Sequence, residues 1–201
     1  MFKLLLAAVV VFSLQVRAQN LKLYVGLNPA GDFVAESDQV TGQAIENPDG
    51  SVEATNIKVP TKSLKSGISL RDEHMDNKYL EAGKYPDIIL KVAKGKDGKG
   101  VGILIVKGKE GKVNGTYTKS GDHLKANFKM KISDFDIKDI SYKGIGVEDE
   151  VKVEVTVPLV KASQVKAAAT KAAPAAGAKT AVPAAKPGSA PAPAKPVAPK
   201  K

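Results

Sequence analysis

The strongest constraint in this chain is a period of two. Leu124, Ala126, Phe128, Met130 and Ile132 share one parity, and Lys125, Asn127, Lys129 and Lys131 take the other. Val151, Val153, Val155 and Val157 alternate in the same way with Lys152, Glu154 and Thr156. Ile88, Leu90 and Val92 are expected on one face, with Lys91 opposite. Such strands bury one face and wet the other, as antiparallel sheets do. Turn signals separate them at Pro48-Asp49-Gly50, Asp97-Gly98-Lys99-Gly100, Lys109-Glu110-Gly111 and Ser120-Gly121-Asp122. Strands are predicted near 21–27, 32–37, 40–47, 51–60, 86–94, 100–108, 111–119, 122–133 and 149–158. The apolar parity slips between Val52/Ala54 and Ile57/Val59, which predicts a bulge near Asn56. One segment departs from this pattern. Ser69 as N-cap with Asp72 three residues on, Met75 and Tyr79 four apart, and Gly83 as a stop together predict a short helix over 70–81. One-sided antiparallel strands tend to close into a barrel, which removes the sheet edges.

The two ends differ from this middle. Lys3 is followed by the apolar run Leu4–Leu14 and then by Val16-Arg17-Ala18, the pattern of a secretory signal peptide with cleavage after Ala18. The run is well short of the roughly 20 residues that span a bilayer. From Ala162 the chain turns to Ala, Pro and Lys, with seven Lys, no acid and no aromatic. This composition cannot bury a core and reads as a disordered tail. The division is therefore 1–18 signal peptide, 19–161 folded domain and 162–201 tail. The formal charge of +10 belongs mostly to the tail, because residues 19–161 hold 22 bases against 21 acids. A basic nucleic-acid-binding globule is disfavoured accordingly. The tail's expected partner, if it has one, is an anionic envelope surface; otherwise it is a solubilising linker.

The residues do not point to catalysis. Cysteine is absent, and His74 and His123 are the only histidines. Neither has a Ser nucleophile context; His74 reads as a surface or polar-network residue and His123 as a turn residue. Asp134, Asp136, Asp139 and Glu148-Asp149-Glu150 lack the spacing of a calcium loop. Gly144-Ile145-Gly146 opens no phosphate-binding helix. No metal, cofactor or catalytic residue is expected. Arg71 is more informative, since beyond the signal segment every other fixed cation is Lys. A planar fork is wanted there, either for a ligand headgroup or to bridge helix and barrel through a carboxylate or strand carbonyls.

Ser63-Leu64-Lys65-Ser66-Gly67, Leu70-Arg71-Asp72-Glu73-His74-Met75, Tyr79-Leu80 and Tyr85-Pro86-Asp87-Ile88 resemble the signature of the YceI-like, lipocalin-like proteins. Gly102-Ile103-Leu104-Ile105-Val106-Lys107-Gly108 is similar to a further strand of that family, and Phe135-Asp136-Ile137 with Val147–Val151 resembles its closing strands. The resemblance implies an eight-stranded antiparallel barrel, periplasmic or secreted, with one short helix. It also implies an apolar pocket for an isoprenoid-like chain (quinone or polyprenyl), and homodimers occur in the family. On strand parity, the pocket should be lined by Leu64, Ile88, Leu90, Leu104, Val106, Phe128, Met130, Val153 and Val155. Arg71 and Tyr85 are expected as headgroup or structural contacts. Each isoprene unit buried releases roughly 3–4 kcal/mol at about 0.8 kcal/mol per carbon. Association costs on the order of 4–15 kcal/mol, so long chains are favoured over short ones. The competing reading is a filled barrel that carries no ligand and acts as an envelope interaction module tethered by its basic tail.

Overall fold

The computed structural model describes residues 19–165 except 30, 139 and 143. The expected signal peptide and the tail from 166 onward lie outside the described residues. Ten strands form one sheet: β1 Asn20–Asn28, β2 Asp32–Ser37, β3 Ala44–Glu46, β4 Val52–Pro60, β5 Asp87–Lys96, β6 Lys99–Val106, β7 Lys109–Ser120, β8 His123–Lys131, β9 Ser141–Tyr142 and β10 Ile145–Lys161. Neighbouring strands from β3 to β8 pair antiparallel in chain order. β10 then closes the ring. One of its edges pairs with β8, so that Val153 faces Phe128. Its other edge pairs with β1 along most of its length, Val153 facing Leu23, and at its far end runs parallel to β3, Leu159 facing Ala44.

The result is the expected lipocalin-like barrel, but its ladders close through seven strands rather than eight. The reason is the length of β10. At 17 residues it is long enough to serve two partners on one edge, so β3 completes the ring beyond the point where β1 begins. The β1–β2 hairpin extends the wall from that same edge, and a reciprocal pair of backbone bonds between Glu36 and Lys65 (2.8 and 2.9 Å) fastens β2 to the chain just after β4.

Hydroxyl groups pin this seam. Ser63 Oγ donates to the Pro60 carbonyl (2.6 Å), so Ser37 Oγ donates to Ser63 Oγ (2.6 Å) while accepting from the Gln39 N–H. Thr61 is almost fully buried and donates through N to Pro86 O and through Oγ1 to Tyr85 O. Such groups must be paired once buried, so they set the angle at which β4 hands the chain to the helix.

The bulge expected near Asn56 is present. Ala44 faces Ala54, yet Thr41 faces Lys58, so β4 carries one residue more than the segment beside it. Asn56 absorbs it in the left-handed region at φ 55. This keeps Val52 and Ala54 on the same side of the wall as Ile57 and Val59. A second bulge was not legible. Leu90 faces Leu104 but Val92 faces Ile103, so Lys91 is extra and Val92 turns outward. The expectation that Val92 shares a face with Ile88 and Leu90 is corrected on that ground.

The helix, α1, runs Ser69–His74 and widens into a π turn over Met75–Tyr79. Ile68, not Ser69, holds the N-cap position, with no side-chain cap. Asp72 instead reaches back, accepting from Ser66 N (2.8 Å) and Ser66 Oγ (2.7 Å). The left-handed exit falls on Glu81 (φ 49) rather than Gly83.

Asn tolerates the left-handed region and a β-branched residue does not, so Asn56→Val should cost about 1–2 kcal/mol while Asn56→Gly stays near neutral. Denaturant midpoints of the two variants check this; equal losses would mean that the bulge does not depend on backbone conformation.

Candidate ligand-binding cavity

The inward parity of β8 shows what lies on the barrel axis. Ala126, Phe128 and Met130 point inward but are only half-buried, while Leu124 at the strand's start is buried. Ile88 and Leu90 of β5 behave alike. Inward side chains that are still accessible face a hollow, not a packed centre. Two apolar lobes fill that hollow, of about 140 and 390 Å³. Both touch Leu23, Ile88, Val106 and Met130, so they meet across these residues.

The smaller lobe lies within the strands, among Leu21, Ile57, Val59, Leu104, Val113 and Val153. Tyr117 lines it as well. The ring sits so close over Gly95 that a Cβ there would meet Tyr117 Cε1 at 2.6 Å. The larger lobe opens beneath α1. It is walled by Val25, Phe33, Met75, Leu80, Ile137 and Val147, and its charged or titratable lining is limited to Arg71, His74 and the Tyr79 hydroxyl. The cavity is therefore predominantly apolar, with Arg71, His74 and Tyr79 at its helix-side mouth and Glu53, Lys94, Thr116 and Asn127 in the lining of the smaller lobe.

The residues expected to line it divide as follows. Ile88, Leu90, Leu104, Val106, Phe128, Met130, Val153 and Val155 all do. Leu64 does not: it is fully buried, but outside both lobes. It follows the 3-10 turn Thr61–Ser63 and belongs to no strand, so strand parity could not place it. Tyr85 also stays outside. Its ring covers Gly108 in the turn between β6 and β7, and Lys84 Nζ lies 5.0 Å from its centroid.

Arg71 lines the mouth, and its guanidinium stacks 4.1 Å from the centroid of Phe33 on β2. The helix-to-barrel bridge is thus made to an aromatic face rather than to the expected carboxylate or carbonyl. His74 lines the mouth as well, a place that its reading as a surface or polar-network residue did not specify. Leu21, Leu23, Val25 and Leu27 also line it, and their period of two within the expected 21–27 strand is a signal that could have found them, whereas Ile137 and Ile140 come from irregular chain and Ile145 only begins β10, so none of the three carries a periodic signal.

Three of the acidic residues weighed for a cation are committed elsewhere, and Asp139 lies outside the described residues. Asp149 accepts from Ser133 N and Oγ (2.8 and 2.9 Å), bonds that hold its carboxyl below the usual range. Asp136 pairs with Lys109 at 2.7 Å and is lowered chiefly by that bond. Glu150 pairs with Lys129 at 2.7 Å. Among the described residues no group of three or more His, Asp or Glu is arranged to hold a metal ion. His123 heads β8 at the turn, with Nδ1 2.6 Å from Asp122 Oδ1.

A family profile for the YceI-like domain matches residues 13–159. The chain belongs to the YceI-like family. Its barrel is similar to the crystal structure of BcnA from Burkholderia cenocepacia, at 17% identity and a TM-score of 0.53, covering 69% of this chain and 94% of that one. A polyisoprenoid binding domain from Saccharophagus degradans, implicated in plant cell wall breakdown, aligns at 11% identity and TM-score 0.45 over 69% and 91% of the two chains. A mutant CJ YceI protein with a monobromobimane guest aligns at 17% and 0.41 over 61% and 82%. At these identities the likeness is one of fold. A comparison with curated proteins finds no match.

In this YceI-like domain the helix is fixed by Asp72 and Arg71, and each can be tested. Burial is the largest influence on the Asp72 carboxyl and pulls it up, but the two Ser66 bonds and the charges of Lys65 and Arg71 together hold it below its ordinary value. A lowered folded-state pKa adds stability above the unfolded pKa, and that stability is lost as pH falls through the folded one. Asp72→Asn should therefore destabilise at neutral pH, with the gap to the parent closing in acid; denaturation curves across pH read it, and a pH-independent gap would contradict it. Arg71→Lys keeps the charge and loses the stacked plane, so stability should fall by about 0.5–1 kcal/mol. The denaturant midpoint measures this, and an unchanged value would show that the Phe33 contact does not hold the helix.

Proposed function

We propose that this protein binds a long isoprenoid-like chain, a quinone or polyprenyl lipid, in its barrel and stores or carries it, without catalysing a reaction on it. The observation that carries the reading is the two-lobed, predominantly apolar hollow along the barrel axis, with Arg71, His74 and Tyr79 at the α1 mouth. A ligand that fits must be apolar along its length with at most a small polar head. Membership of the YceI-like family supports the same class of ligand. The chain lies along Leu104, Val106 and Val153, and the head rests near Arg71 and His74. The apolar gain scales with buried length, so several isoprene units are needed before binding exceeds the cost of association. The reading includes export, with the signal peptide removed after Ala18 and the protein acting in the periplasm or outside the cell. The filled-barrel alternative is disfavoured by the half-buried inward faces of β5 and β8.

Organic extraction of the natively exported protein, followed by mass spectrometry, should yield a stoichiometric isoprenoid lipid. Ala126→Phe places a ring in the smaller lobe, and should abolish that lipid while the melting temperature holds or rises. A clean extract from the parent protein, or full lipid content in the filled variant, would contradict the proposal.

A further inference from the structure

The α1 mouth has a second feature that cargo binding alone does not require. Ile68 and Leu70 are 50% and 49% exposed, and both also line the larger lobe. Among the other described residues, the exposed large apolar side chains stand singly: Tyr24 and Val165 line neither lobe, and Val101 lies alone in the lining of the smaller lobe, on β6. Scattered singles need no explanation, but a pair continuous with the lining of an apolar cavity does. Lys62, Lys65 and Lys78 are exposed in the chain flanking the pair, with Lys65 3.7 Å from Asp76 and Glu73 the exposed acid among them, and long lysine stems reach past apolar contacts to polar headgroups.

We propose that this mouth docks on an anionic lipid bilayer, with Ile68 and Leu70 entering the interface so that the cavity opens directly into the membrane. The proposal rests on the reading above in one respect, that the cargo is soluble in a bilayer. A second copy of the chain fits this surface poorly. A stable dimer buries about 800 Å² per partner, far more than two half-exposed side chains supply. A bilayer meets them with a continuous apolar phase, and a weak apolar anchor becomes effective when joined to cationic charge. The chain supplies that charge: residues 162–201 carry seven Lys and no acid, and each cation near an anionic surface adds about 1 kcal/mol.

The chain has no tryptophan, so one introduced residue reports alone. Leu70→Trp and Val101→Trp place it at equally exposed sites at opposite ends of the barrel. Vesicles of phosphatidylglycerol and phosphatidylcholine with brominated acyl chains should quench and blue-shift the first and leave the second unchanged. In co-sedimentation with the same vesicles unbrominated, I68S/L70S should bind at least about tenfold more weakly than the parent, a difference of about 1.4 kcal/mol. Neither readout requires bound cargo, so a failed docking surface is told apart from an empty barrel. The proposal is overturned if the parent does not sediment, if both tryptophans are quenched alike, or if binding vanishes in high salt but ignores I68S/L70S. That last result would assign the membrane contact to the lysine-rich tail. If I68S/L70S fails to fold, the quenching comparison decides alone.

Discussion

The architecture depends on how β10 satisfies two edges at once. A strand with an open edge invites pairing with another chain, and a barrel removes that hazard only when the last strand finds the first. Here one edge of β10 is taken by β8, and the other is divided between β1 and β3. Once the ring is closed, every inward side chain faces a common axis. What lies on that axis then depends on side-chain size. Val, Leu, Ile and Ala from the strands are too small to meet across it, so the interior stays hollow instead of packing to the density of an ordinary core.

The two ends of the hollow are treated differently. At one end the Tyr117 ring lies over Gly95 in the wall of the smaller lobe. At the other, a short helix stands over the opening, held by a stacked guanidinium, a carboxylate that grips the preceding loop and a seam of buried hydroxyls. These contacts orient α1 without filling the space beneath it. The same arrangement places Arg71, His74 and Tyr79 at the mouth, where a polar head can stay near water while an apolar chain runs inward. On the proposed reading such a site needs no reacting group, since selectivity would come from length and apolar shape.

Most of the wall was legible because a period of two is a direct print of which face is buried. Val151 to Val157 and Leu124 to Met130 sit as their alternation indicates, and the parity slip at Asn56 marks a real bulge. The misses have physical causes. The Lys91 bulge is set by pairing with β6, not by β5's own pattern, so Val92 was placed on the wrong face. Leu64 lies in irregular chain, where apolar character signals burial but not location. The count of seven follows from the partners of β10, and periodicity within one strand carries no record of its partners. Whether the barrel is hollow could not be read either, because it depends on how volumes from β1, β4 to β8 and β10 add up in space. Arg71 stood out by its rarity, but the aromatic face of Phe33, 38 residues earlier in the chain, had no mark in the local sequence.

The central claim is that the hollow, and not another surface, receives an apolar chain. The direct measurement is a set of intermolecular nuclear Overhauser effects between methyl-labelled protein and added geranylgeraniol. Contacts should appear at Leu104, Val106, Met130 and Val153, and should be missing at Leu64, which is fully buried but lies outside the cavity. Contacts confined to the outer-wall methyls of Ile103 and Ile105, with none from the inward set, would contradict the account.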